Sequence, residues 1–213
     1  MQMAKLPDGI FGGIRGRIGN IVGVKRNGKF HIRSIPDNVK NPKTKKQQQN
    51  RNKFGIASSL ASKLKPFIKR SFSTDGEKSW RGAFISYNMS AAIKPADDEQ
   101  TFEIIYPNLV LSAGVLYPPE DVTAERDDDG NIRISWTDNS GEGNASPDDK
   151  LLAVAINEDG PRLTTAPEST ARKAEVSGIS LPKSYSQSIV HIYACMMSAD
   201  ESISSNTIYL GEV

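Results

Sequence analysis

The chain has 213 residues, 37% hydrophobic and 24% charged, a size for one or two domains with the composition of an ordinary water-facing protein. No apolar run approaches the ~18 residues that cross a bilayer, no basic-then-apolar secretory signal opens the sequence, and the lone Cys195 excludes an intramolecular disulfide. The net charge of +2 conceals a split: residues 1–70 hold 17 Lys/Arg against only Asp8 and Asp37, a net +15, while residues 71–213 carry a net −13. Such asymmetry speaks about partners and not about fold. It points to a polyanion, or to copies that meet head to tail, basic on acidic.

In chain order, five glycines fall between Gly12 and Gly23, interleaved with Ile14, Ile18, Ile21 and Val22. Two alternating runs then flank Asn27-Gly28, the strongest short-range hairpin signal, because a type I′ turn needs positive φ at both central residues. Strands are expected over 19–26 and 29–35, with Pro36 ending the second. Two strands alone are marginal in water, so this hairpin must pack on something.

Thr44 and Gln47 have the spacing of a capping box that opens a helix. Its apolar stripe reads Phe54, Ala57, Ala61, Leu64 and Ile68, and Pro66 is expected to end or kink it near Leu64. Thr74 and Glu77 form a second box, followed by a stripe of Trp80, Ala83/Phe84, Tyr87 and Ala91. Short strands are expected at Phe102–Tyr106 and Leu109–Ser112, then a boundary at Tyr117-Pro118-Pro119.

Beyond that boundary the rhythm is all-β. Val122–Ala124, Ile132–Thr137 and the strongly apolar Leu151–Ile156 are followed by Arg162–Thr165, Arg172–Val176, Ile179–Leu181, Ser188–Met197 and Asn206–Leu210. About seven short strands punctuated by turns are the signature of a sandwich, with Trp136 as core anchor. The expected class is mainly β with a helical pair: a Gly-rich arm and β-hairpin (1–36), a two-helix unit (37–95), bridging strands (96–116) and an immunoglobulin/fibronectin-like β-sandwich (117–213).

Two stretches carry resemblances. Tyr117-Pro-Pro-Glu-Asp-Val122 through Gly130-Asn-Ile-Arg-Ile-Ser-Trp136 resembles the first two strands of a fibronectin type III domain. The usual tyrosine of its sixth strand is missing near Ile189–Val190, or displaced to Tyr185 or Tyr193. Gly16 to Gly23, Arg33, Asn41-Pro42-Lys-Thr44-Lys-Lys-Gln47, Arg51, Phe54, Trp80, Phe84 and Asn88 resemble the pattern of an uncharacterised family met in Bacteroidetes genomes, prophages and phages. That resemblance implies a phage-type or surface assembly component, by association alone.

Catalytic equipment is thin. His191 and Cys195 fall four apart on one expected strand and share a face, among Ile189, Tyr193 and Met197, so both read as core filler. Gly13-Ile-Arg-Gly16 matches the phosphate clamp of KH domains, but a hairpin follows where that clamp needs helices. Asp127–Asp129 and Asp148–Asp149 lack the bidentate Glu that an EF-hand spacing demands and read as turn acids. No catalytic residue, metal site or cofactor is expected, nor a small-molecule substrate.

The basic set carries the functional expectation. Arg15, Arg17, Lys25, Arg26, Lys29 and Arg33 flank the hairpin, while Lys40, Lys43, Lys45, Lys46, Arg51 and Lys53 crowd the first helix start, against its macrodipole. The sequence therefore reads as a non-enzymatic structural protein, made in the cytoplasm without a signal peptide. It would assemble with copies of itself or neighbouring structural proteins in a phage virion or surface appendage. The alternative is a non-specific nucleic-acid-binding protein using the same basic region.

Overall fold

The computed structural model describes residues 12–26, 28–36, 41–72, 79–96, 101–158, 163–166, 170–185 and 188–213. The chain divides at 44/45 into two units. In the first, β1 (Gly16–Ile18), β2 (Ile21–Arg26) and β3 (Lys29–Ser34) form an antiparallel meander in that order. Asn27 lies outside the described residues; Gly28 has φ +76°, the left-handed conformation that a tight hairpin needs. The expected hairpin thus gains a third strand. Gly19 (φ +57°) and Asn20 turn the chain so that Gly16–Ile18 pairs with Ile21–Gly23, and the first expected strand starts at 21 instead of 19.

Among the described residues, the second unit holds three α-helices and a sandwich. The first helix, α1 (Lys45–Lys63), starts directly after Thr44, and α2 (Lys65–Ser71) carries Pro66 in its first turn, where no N–H is missed. The break falls at Leu64, as expected. The box Thr74–Glu77 lies outside the described residues; α3 (Trp80–Ala91) is capped by Ser79, whose Oγ accepts the Gly82 N–H at 3.2 Å. Two stripe residues are corrected. Phe54 and Tyr87 are half-exposed, and Leu60 and Ile85 take the buried positions beside them.

After the short ladder β4 (Ile93–Pro95) and β5 (Phe102–Ile104) the chain turns at Tyr106–Asn108. Leu109–Ser112 is not a strand. Its backbone is satisfied by side chains: Asn88 donates to the Val110 carbonyl and accepts its N–H, both at 2.8 Å, and Thr207 Oγ1 accepts the N–H of Leu111 and of Ser112. Side chains from α3 and from a segment about a hundred residues away thus replace the neighbouring strand.

Among the described residues the sandwich has seven strands. β6 (Glu120–Arg126), β7 (Ile132–Thr137) and β10 (Val176–Ile179) make a sheet of order 6-7-10; β8 (Lys150–Asn157), β9 (Leu163–Thr165), β11 (Val190–Met197) and β12 (Ile208–Glu212) make one of order 9-8-11-12. Every pairing is antiparallel. The molecule is mainly β, with an immunoglobulin/fibronectin-like sandwich as expected. Arg172–Ala174 is a 3-10 turn and not a strand, because Glu175 adopts φ +58° and ends the extended run before β10.

Two cores lie on opposite faces of the same strands. Ile132, Ile134, Trp136, Leu151, Ala153, Ile192, Ala194 and Met196 fill the space between the sheets. The alternate residues Leu152, Val154, Ile156, Tyr193, Cys195 and Met197 pack with Leu60, Leu64, Phe67, Ile68 and Phe84 of the helical segment. β8 and β11 are therefore buried on both faces, which is what their unbroken apolar runs require.

Candidate functional site

The pleat of the N-terminal meander sorts its residues. Directly opposed residues on antiparallel strands share a face. The registers Arg17↔Val22↔Arg33, Val24↔His31 and Arg26↔Lys29 therefore place Arg17, Arg26, Lys29 and Arg33 together on one face, with His31, Val22 and Val24. The registers Ile18↔Ile21↔Ser34, Gly16↔Gly23↔Ile32 and Lys25↔Phe30 define the other, apolar face. Ile18 (41%), Phe30 (39%) and Ile32 (58%) remain substantially exposed there. Lys25 crosses the Phe30 ring at 5.2 Å, a cation–π contact.

The glycine-rich lead-in runs over this apolar face. A Cβ on Gly13 would enter the Phe30 ring, and one on Gly23 would strike the Ile14 carbonyl, so both positions accept only glycine at this separation. That placement disposes of Gly13–Gly16 as a phosphate clamp: it leads into a strand.

Of the basic residues expected to act together, four thus share one sheet face, while Lys25 lies on the opposite one. Arg15 is exposed immediately before β1, and Lys43 is exposed with φ +49°. Lys45 and Lys46 stand exposed in the first turn of α1, in the second unit. Arg51, further along α1, borders an open groove of about 810 Å³ with Gly55, Leu60, Phe102, Tyr106 and Glu158.

The His191–Cys195 pair is split by its chemistry. Burial pushes the Cys195 thiol up to about 12, so it carries no thiolate at neutral pH. His191 stacks on Tyr106 at 4.2 Å, and its Nδ1 lies 2.9 Å from the Tyr209 hydroxyl. Its buried Nε2 has no hydrogen-bond partner among the described residues, Glu158 Oε2 being 4.0 Å away. Burial lowers its pKa against the opposing pull of Glu158 and Glu212. Tyr193, on the same face of β11, donates its hydroxyl to the Tyr106 carbonyl at 2.8 Å. These are core contacts of the helix–sheet layer.

Several acids of the sandwich are engaged by their own chain. Asp127 accepts the Asn131 N–H in its turn, Asp148 pairs with Lys173 at 2.8 Å, and hydroxyls of Ser198 and Ser202 hold Asp200 down at about 2. Asp149 pairs at 3.1 Å with Arg172, a fully buried guanidinium. Arg172 Nη1 also donates to Asn139 and Nη2 to the Tyr117 carbonyl, and the Arg172 carbonyl accepts Trp136 Nε1–H at 2.7 Å. This clamp ties the start of the sandwich to its core tryptophan. Sequence reasoning missed it, since an Arg at a strand-like position gives no local sign of burial.

Among the described residues, no His, Cys, Asp and Glu group has the geometry to hold a metal, and no helix is long and apolar enough to cross a membrane. No curated protein and no solved structure is significantly similar to the chain. The DUF6266 family, a family of unknown function, matches residues 13–211, from the glycine-rich lead-in to the last strand of the sandwich. The chain belongs to that family.

Proposed function

We propose that the protein is a non-enzymatic structural component that assembles with copies of itself or with neighbouring structural proteins through its N-terminal meander. The observation that carries this reading is the half-exposed apolar face of Ile18, Phe30 and Ile32 on the three-stranded meander. Such a face gains stability when another surface covers it, at about 25 cal/mol for each Å² of apolar area removed from water. The strands β1 and β3 also offer edges to which a neighbour can add. A phage virion or a surface appendage is the setting that the sequence resemblance suggests, with the helix-backed sandwich as the body that the meander joins to its neighbours.

Deleting residues 1–36 and measuring the mass in solution by light scattering tests this. Assembly through the meander predicts a lower oligomeric state for the truncated chain with its thermal unfolding midpoint retained. An unchanged oligomeric state contradicts it.

A further inference from the structure

The sheet has a second face, which the assembly contact leaves unused. We infer that Arg17, Arg26, Lys29 and Arg33 form a phosphate-binding surface for duplex nucleic acid, one that holds the backbone and does not read bases. The inference is independent of the assembly reading, which concerns the opposite face.

The clustered cations carry a cost. Arg26 and Lys29 are direct cross-strand partners, and like charges so placed destabilise a sheet. Arg17 and Arg33 flank Val22 in one row across three strands, about 10 Å apart at two strand spacings. Lys29 and Arg33, four residues apart on β3, add a repeat of about 13 Å along the strand. All four are exposed, and the described residues of this unit contain no Asp or Glu. A phosphate backbone supplies a regular row of anions that relieves this repulsion at every cation together.

The chemistry of the face selects the ligand. Three of the four cations are guanidiniums, whose planar fork suits phosphate oxygens in pairs. Apart from His31, the described residues of this face offer no aromatic ring, because the pleat sends Phe30 to the other side; single strands, held by successive stacking, are poorly served. In the competing acidic partner, a second copy's sandwich, Asp149 and Asp200 are engaged internally while Glu125, Asp128 and Asp129 stand exposed; measured duplex binding therefore separates a carboxylate surface from a phosphate backbone.

Binding of the full chain to a random-sequence 30-base-pair duplex, followed by fluorescence anisotropy across a salt series, tests the assignment. Each neutralised phosphate contributes about −0.9 to the slope of log K against log salt, so four cations predict a slope near −3 to −4. Lys29→Gln and Arg33→Gln should each flatten it by about 0.9. Lys25→Gln removes the same charge from the opposite face and should leave the slope unchanged. Equal effects of Lys25→Gln and Lys29→Gln overturn the assignment, as does failure to bind the duplex at low salt. A Lys29→Gln/Arg33→Gln protein that loses mass in solution, from a parent that does not bind the duplex, assigns the face to an acidic protein surface and likewise overturns it. An Ile32→Ser chain that no longer assembles yet keeps the salt slope supports it.

Discussion

β3 and β11 are both antiparallel strands with several apolar side chains, yet all six residues of β3 are exposed and all eight of β11 are buried. In β11, Ile192 and its alternates meet the facing sheet while Tyr193, Cys195 and Met197 meet the helices. The chain supplies both covers. In β3 the alternation is amphipathic, Phe30 and Ile32 on one side and Lys29, His31 and Arg33 on the other. A strand patterned for one buried face and found with both exposed is what the proposed contact with a neighbouring surface draws on. The contrast separates a strand covered on both faces from one whose described residues are exposed on both.

The largest break in this contrast should come from Arg172. Arg172→Ala leaves Asp149 buried without its cation and should lower unfolding stability by roughly 3–5 kcal/mol, read from the urea midpoint. Next comes a matched pair. Ile192→Ala empties a fully buried site and should cost about 2–5 kcal/mol; Ile32→Ala, at 58% exposure, should stay within about 0.5 kcal/mol. Equal costs would place β3 in a core and remove the basis of the comparison.

A smaller, pH-dependent effect belongs to His191. Its folded-state pKa lies below the unfolded value because burial opposes the charge, so the unfolded chain binds more protons on the acid side. Stability is then full above the unfolded pKa of about 6.5 and falls as pH drops through the window beneath it. His191→Gln should flatten the pH dependence of the unfolding free energy between pH 7 and 5. A variant as pH-sensitive as the parent contradicts the assignment.

Much of the architecture was legible because it is local. Asn27-Gly28 fixes a two-residue connection, and with it the register Arg26↔Lys29 and both faces of the meander follow from alternation. The Gly19-Asn20 turn carries the same kind of signal and marks the third strand that the glycine richness obscured. The unbroken run Leu151–Ile156 announces two-sided burial. What could not be read is what depends on distant partners. Leu109–Ser112 has strand-like residues, yet Asn88 and Thr207 take up its hydrogen bonds. Arg172 sits in a strand-like run, yet Glu175 turns the backbone and Asp149 draws the guanidinium inside. Phe54 and Tyr87 obey helical spacing, but spacing alone does not say how wide the covered stripe is. For the basic cluster, the sequence supplied the members, and only the strand register divided Lys25 from Arg26, Lys29 and Arg33.

The central claim is that the apolar face of the meander makes the assembling contact. Light scattering on the full chain carrying Ile18→Ser and Ile32→Ser tests it most directly, with Lys29→Gln/Arg33→Gln as the control on the other face. The account predicts that the serine variant falls to the monomer mass while the glutamine variant keeps the parent mass, both with the parent's thermal midpoint. A serine variant that keeps the parent's oligomeric mass contradicts it.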